Sequence, residues 1–250
     1  MKISVVIPAH NEEKRIGKCL ESLMNQKEKP DEIIVVNNNS TDKTAKIAKS
    51  YGAIVINEKK QGISFVRNAG FNLAKGDVIV RIDADTTAPT DWIKRIKKDL
   101  KSDKIGAVFG PASYSDLPLL NKTSTLITTY FFNVFKIYLK KHLLFGLNMA
   151  IKKTLWEKAK NDLCMDDTKV HDDFDLAIHL WKYGEIKFDK DLRVKTSPRK
   201  WKSIYSDVEY TQRLIKMLKS HNLILPKILV KNKYLKTKTM RRISKTFNIK

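Results

Sequence analysis

The first 85 residues alternate between short apolar runs and segments with helical spacing, and few architectures accept that order. Ile3-Ser4-Val5-Val6-Ile7 reads as a buried strand closed by Pro8. A helix follows, with Ile16, Cys19, Leu20 and Leu23 at helical spacing. Residues 32–36 form a second apolar strand, and Ser40-Thr41-Asp42 can cap a helix over 43–51 that Gly52 ends. Residues 53–56 are a third strand, 62–74 a helix stopped at Gly76, and 78–82 a fourth strand that ends at Asp83. This order predicts an α/β fold with a mainly parallel sheet between helices. Sheets of that kind bind ligands at the carboxyl ends of their strands. Three polar clusters fall there: residues 9–12, 37–42 and 83–86.

Further along, the pattern predicts a helix over 91–100, a strand over 107–110 and a helix over 173–183 ended by Gly184. Residues 117–147 predict a strongly apolar helix interrupted by Lys136, Lys140 and Lys141. It reads either as a core or dimer helix, or as an interfacial membrane helix with a basic fringe. Beyond residue 197 the character changes. Residues 226–250 carry lysine and arginine, interleaved with apolar side chains, and no acidic residue. The expected organisation is a catalytic domain over 1–200 and a basic, amphipathic helical extension over 201–250. That extension reads as a solvated helix pair or as an attachment to anionic lipid.

A 42% apolar content across 250 residues supports a real core. The net charge of +22 draws anionic partners: nucleic acid, an anionic membrane surface or phosphorylated ligands. Cys19 and Cys164 have no CxxC partner and are expected to be reduced thiols. No signal peptide is evident and no uninterrupted run of ~18 apolar residues occurs. The expected location is therefore cytoplasmic, with peripheral attachment at the inner face of the membrane as the further option.

Asp83-Ala84-Asp85 places two carboxylates at the end of an apolar strand. Hard oxygen ligands of this kind suit Mg²⁺ or Mn²⁺, which also accept phosphate oxygens. The plainer reading is a capped turn before the next helix. His171-Asp172-Asp173-Phe174-Asp175 crowds three carboxylates into the start of a helix. Helix capping explains them, and so does a general base whose pKa is raised by like charges.

The order of motifs is more specific than any one of them. Val5 to Glu12 opens the chain, and Val36-Asn37-Asn38-Asn39-Ser40-Thr41-Asp42 follows the second strand. Gly62 and Arg67-Asn68-Ala69-Gly70 come next, then Ile82-Asp83-Ala84-Asp85 with Pro89 and Trp92 behind. Phe145-Gly146-Leu147-Asn148-Met149-Ala150-Ile151 precedes Asp172-Asp173. Over about residues 1–200 this closely resembles the family 2 inverting glycosyltransferases of the GT-A fold. The resemblance implies a nucleotide-diphosphate-sugar donor, a divalent cation, and a glycan or lipid-linked acceptor hydroxyl. It implies that Pro8, Ala9 and Glu12 form the first nucleotide-contacting loop. Asn38 falls where the family has an aspartate that reads base and ribose. Asp85 corresponds to the metal ligand, and Asp83 to a contact with ribose or metal-bound water. Asp173 matches the catalytic base, with Asp172 in place of the usual glutamate. Asn148 falls in the segment that lines the sugar pocket. Arg67 borders the donor site or makes a salt bridge to the first loop. Apart from the resemblance, the position of Arg199 after the last strand-like segment suggests that it faces the diphosphate.

Two departures matter. Asn37-Asn38-Asn39 replaces a motif that is normally acidic. Ser197-Pro198-Arg199-Lys200-Trp201 lacks the glutamine and the in-register arginine of processive synthases, which argues against a polymerising enzyme. Two rivals stand beside this reading. A basic nucleic-acid-binding protein fits the charge, but no helix-turn-helix, zinc-knuckle or RNA-recognition signature occurs. A nucleotidyltransferase of similar topology calls for a glycine-rich loop where this chain has Pro8-Ala9-His10-Asn11.

Overall fold

The computed structural model describes residues 1–114, 121–197 and 204–223. The chain runs β1 (Ile3–Ala9), α1 (Ile16–Met24), β2 (Glu32–Asn37), α2 (Thr44–Ser50), β3 (Ile54–Asn57), α3 (Ile63–Leu73) and β4 (Val78–Ile82). It continues through β5 (Thr86–Thr87), α4 (Trp92–Leu100), β6 (Ile105–Phe109), β7 (Ala112–Tyr114), α5 (Asn121–Leu139) and β8 (Asn148–Lys152). The last elements are α6 (Lys153–Ala159), α7 (Asp172–Leu180), β9 (Glu185–Phe188), β10 (Val194–Thr196) and α8 (Ile204–Ser220).

Seven strands form one sheet in the order β3-β2-β1-β4-β8-β6-β9, in which β8 alone runs against its neighbours. The period-two alternation of each strand sends its side chains to two cores. Ile3, Val5 and Ile7 of β1 pack with Leu20 and Leu23 of α1, Ala48 of α2, and Trp92 and Ile96 of α4. Val6 faces the other way, toward Val66 and Phe71 of α3, Trp156 of α6, Phe174 of α7, and Phe132 and Phe135 of α5. Gly70 lets α3 lie close on the sheet: a Cβ there would sit 2.3 Å from a methyl carbon of Val6.

The four strands and three helices predicted for the first 85 residues all form, with ends moved by a residue or two. Strand β1 extends past Pro8 to Ala9. Its ladder to β4 ends at Val6, so the missing N–H of Pro8 disrupts nothing on that side. The apolar helix expected over 117–147 is shorter. It closes at Leu139, because Lys140 adopts φ 56° and turns the chain so that Leu143 and Leu144 enter the core. Residues 115–120 lie outside the described residues. The expected boundary at residue 200 also needs correction. Leu214, Met217 and Leu218 of α8 are buried in the same core as α3, α6 and α7, so α8 is part of the sheet-centred unit. The basic run 226–250 lies outside the described residues. Among those residues that are described, no helix is long and apolar enough to cross a membrane.

A three-stranded sheet, β5-β10-β7, sits at the carboxyl end of β4. It brings residues 194–196 beside the segment that leaves β4.

Candidate active site

Strand β4 delivers Asp83-Ala84-Asp85 to the carboxyl edge of the sheet, and the Thr86 N–H closes a turn on the Asp83 carbonyl at 3.0 Å. Asp85 is partly buried. Its Oδ1 accepts from Thr196 Oγ1 at 3.3 Å, and Thr86 Oγ1 lies 3.5 Å away. The metal-ligand candidate is thus oriented by hydroxyls from β5 and β10. An all-oxygen group of two carboxylates with hydroxyls behind one of them fits Mg²⁺ or Mn²⁺.

One residue that the sequence pattern did not single out organises the rest. Val78, Val80 and Ile82 face the α1–α4 side, so alternation turns Arg81 toward α3 and α7. There it is 4% exposed. Its Nη1 donates to Asp172 Oδ2, and its Nη2 lies 3.8 Å from Asp83 Oδ1. Burial works against its charge, but Asp172, Asp83 and Asp173 outweigh it and raise the pKa. A charged residue inside a five-residue apolar strand was the available signal, since such a residue is almost never buried unless paired.

Arg67, fully buried on α3, approaches the same carboxylate. Its Nη1 donates to the Asp172 carbonyl at 2.8 Å and lies 3.8 Å from Asp172 Oδ2. The expected salt bridge from Arg67 to the first loop is therefore corrected: the partner is Asp172, at the start of α7. Two buried arginines share Asp172, and Asp83 adds a second carboxylate beside Arg81.

Asp173 lies next to this cluster. Its Oδ2 accepts the Gly146 N–H at 2.8 Å and its Oδ1 accepts the Phe174 N–H at 2.9 Å. Burial, followed by the charge of Asp172, pushes its pKa from 3.8 up to about 7 against the pull of Arg81 and the two N–H groups. Gly146 has a second role, because a Cβ there would stand 2.9 Å from the Arg81 guanidinium carbon. Behind the pair, His171 Nε2 bonds the Tyr210 carbonyl of α8 at 2.9 Å, and its ring centroid lies 3.8 Å from the Tyr210 ring.

The loops after β1 and β2 are laced together. The Asn38 N–H donates to the Ala9 carbonyl at 2.9 Å, His10 Nδ1 meets the Asn38 carbonyl, and Asn11 bonds Ser40 and Thr41. Pro8 and Ala9 end β1 there. Glu12 is 6% exposed, with its N–H on Thr44 Oγ1 and its carboxylate 3.9 Å from Arg15.

Asn38 departs from the expected reader of base and ribose. Its Nδ2 donates to the carbonyls of Glu58 and Lys60 at 2.8 and 2.9 Å, and its Oδ1 accepts the Gly62 N–H at 3.2 Å. Asn39 likewise donates to the Lys59 carbonyl. An amide supplies two donors and a carboxylate none, so the asparagines where the family has acid are explained by a clamp on loop 58–62. Asn148 is held in the same way. It is fully buried, accepts from Trp92 Nε1 at 2.9 Å, and donates to the carbonyls of Pro111 and Leu192. These partners make its side chain a tie between three segments. Arg199 lies outside the described residues.

A cleft of about 760 Å³ is lined in part by Thr87, Ser113, Leu126 and Lys195. Thr87 and Ser113 both pair with Lys195 across the small sheet, while Thr86 pairs with Thr196 on the face that holds Asp85.

The family model for glycosyl transferase family 2 matches residues 4–159. YdaM, a probable glycosyltransferase of Bacillus subtilis (strain 168), is 32% identical over 227 residues, covering 80% of this chain and 52% of that protein. The chain thus spans about half the length of that relative. Among solved structures, a mannosyltransferase of Pyrobaculum calidifontis in complex with GDP-Man and Mn²⁺ superposes with a TM-score of 0.68 at 20% identity, over 88% of this chain and 64% of that one. Glucosyl-3-phosphoglycerate synthase of Mycobacterium tuberculosis, in complex with Mn²⁺ and UDP, superposes with a TM-score of 0.65 at 18% identity, over 90% of this chain and 81% of that one. The Rossmann-like sheet is that of the GT-A fold, and the chain belongs to glycosyl transferase family 2.

Proposed function

We propose that this chain transfers a sugar from a nucleoside diphosphate sugar to an acceptor hydroxyl, with inversion at the anomeric carbon. The observation that carries this reading is the Asp173 carboxyl, poised near pH 7 and joined through Asp172 and Arg81 to Asp83 of the Asp83-Ala84-Asp85 turn. Asp173 accepts the proton of the acceptor hydroxyl. The freed oxygen forms a bond to the anomeric carbon, the bond to the diphosphate oxygen breaks, and one displacement inverts the configuration. General-base catalysis of this kind contributes roughly 10²–10⁴-fold. The Gly146 and Phe174 N–H groups hold the carboxyl plane, so its remaining lone pairs point in a fixed direction. A divalent cation on Asp85, with Asp83 beside it, supplies positive charge against the departing diphosphate. Pro8, Ala9 and Glu12 border the nucleotide at the end of β1. Solved relatives in complex with GDP-Man or with UDP support a nucleoside diphosphate donor without choosing the base.

The acceptor belongs at a membrane surface on this reading. Helix α5 buries Phe132 and Phe135 but exposes Leu126 (68%), Tyr130 (72%) and Ile137 (75%), with the exposed Lys136, Lys140 and Lys141 nearby. An apolar face fringed by lysine suits an anionic bilayer. Two measurements test the proposal. A panel of GDP- and UDP-sugars with Mn²⁺, read by thermal shift and product formation, should give one preferred donor; no response to any of them would refute the reaction. Co-sedimentation with anionic vesicles should fall in a Leu126→Ser, Tyr130→Ser, Ile137→Ser variant, and unchanged pelleting would rule out α5 as the docking face.

A further inference from the structure

Helix α7 carries a second group of ligating side chains beyond its catalytic first turn. Asp175 and His179 are four residues apart and so share one face of the helix. His221, in the turn after α8, brings its ring to the same carboxylate. Asp175 Oδ1 lies 2.9 Å from His221 Nε2 and 3.7 Å from His179 Nε2, and one ligand atom from each of the three side chains falls within 4.8 Å of the others. Asp175 is 1% exposed, and its Oδ2 accepts the Cys164 N–H at 2.9 Å. That bond fixes the carboxylate and aims Oδ1 at both rings. The rings meet edge-on, with centroids 5.2 Å apart and planes at 78°, so they do not stack and both direct nitrogen at one oxygen. His179 Nδ1 is buried and makes no hydrogen bond among the described residues, so no hydrogen bond at that atom opposes a small rotation of the ring.

We propose that Asp175, His179 and His221 form a Zn²⁺ site, separate from the cation site of Asp83 and Asp85, that clips the end of α8 onto α7. Two imidazole nitrogens and one carboxylate oxygen are a donor set that Zn²⁺ takes readily, whereas Mg²⁺ and Mn²⁺ favour oxygen. Tetrahedral Zn²⁺ with bonds of about 2.0–2.1 Å spaces its ligand atoms roughly 3.3–3.4 Å apart. The 2.9 and 3.7 Å separations from Asp175 Oδ1 straddle that spacing, and the two imidazole nitrogens, within 4.8 Å of each other, reach it by turning of the rings. Water takes the fourth position. The ion exchanges a single shared hydrogen bond for three coordinate bonds at the end of α8. Nearer its start, α8 meets His171 through Tyr210. The clip therefore holds α8 along the helix that begins with Asp172 and Asp173.

The test uses the tag-free full chain, stripped with chelator and titrated with Zn²⁺ alone. We expect 1:1 binding by calorimetry and a melting temperature raised by about 5 °C or more at saturating ion, since a ligand of the native state stabilises it by mass action. Mg²⁺ at equal concentration should not reproduce the shift. Co²⁺ in its place should give the intense visible bands of a tetrahedral site, which needs no variant and so survives any folding defect. The shift should vanish in His179→Gln and His221→Gln and persist in Asp85→Asn. No Zn²⁺-dependent shift, a shift untouched in His179→Gln with His221→Gln, or one lost in Asp85→Asn would each overturn the proposal. The first of these would leave Asp175 and His221 as an ordinary hydrogen-bonded tie.

Discussion

Replacing Asp173 by asparagine separates catalysis from stability, and the pH dependence gives the sign. The folded protein holds this carboxyl at about 7 against 3.8 for the ordinary group. Between those values the native state binds a proton that the unfolded chain has released. Stability from this group is therefore fully present below about pH 4 and is lost as pH rises toward 7. The slope is about 1.4 kcal/mol per pH unit across about three units, or about 4 kcal/mol in all. The amide introduced by Asp173→Asn does not titrate. Its single oxygen stands in for the two that now accept from Gly146 and Phe174, a loss that does not change with pH. The free-energy difference between Asp173→Asn and the parent should then climb in favour of the variant from pH 4 to 7 and level off above. Urea denaturation across that pH range measures it. Parallel stability curves for the two proteins would refute the electrostatic account of Asp173. The same carboxyl predicts that kcat rises with pH through about 7, and that the variant loses transfer by roughly 10²–10⁴-fold while donor binding stays.

Removing Arg81 as Arg81→Met should cost about 3–5 kcal/mol by thermal or urea denaturation, because Asp172 and Asp83 lose the cation between them. Gly146→Ala drives a Cβ into the Arg81 guanidinium and should cost about 1–3 kcal/mol, with a shifted pH–rate profile as the site-specific readout. Asn38→Asp removes both donors of the clamp on loop 58–62 and should lower stability by about 1–3 kcal/mol, with faster amide exchange in that loop. Chelation should abolish transfer, with Mn²⁺ or Mg²⁺ restoring it; full activity in excess chelator would remove the cation from the reaction.

The alternation of the first 85 residues was legible because local signals agree there. Ile3 to Ile7, residues 32–36 and residues 78–82 are mainly apolar runs bounded by turn residues, and that pattern is local whatever strands they pair with. What stayed hidden depends on contacts made across long separations. Asn38 looks like a weakened nucleotide contact until its amide is seen on carbonyls 20 and 22 residues away. Asn148 looks like a pocket residue until Trp92, Pro111 and Leu192 converge on it. The early end of α5 follows from Lys140 adopting a left-handed backbone, which lysine does not announce. Arg81 was readable in principle, as a lone charge in a strand, but its partner lies 91 residues later.

That separation bears on how the chain is made. Arg67 and Arg81 enter the sheet region early, and the aspartate that both approach is Asp172. A nascent chain that has emerged as far as residue 159 already contains the whole segment matched by the family model, yet holds two arginines destined for burial without that counter-charge. Until α7 is made, Asp83 is the carboxylate beside Arg81, and the closer partner Asp172 is still missing. Helix α8 then adds Leu214, Met217 and Leu218 to the same core, so a chain cut before α7 lacks both this closing layer and the Asp172-Asp173 pair.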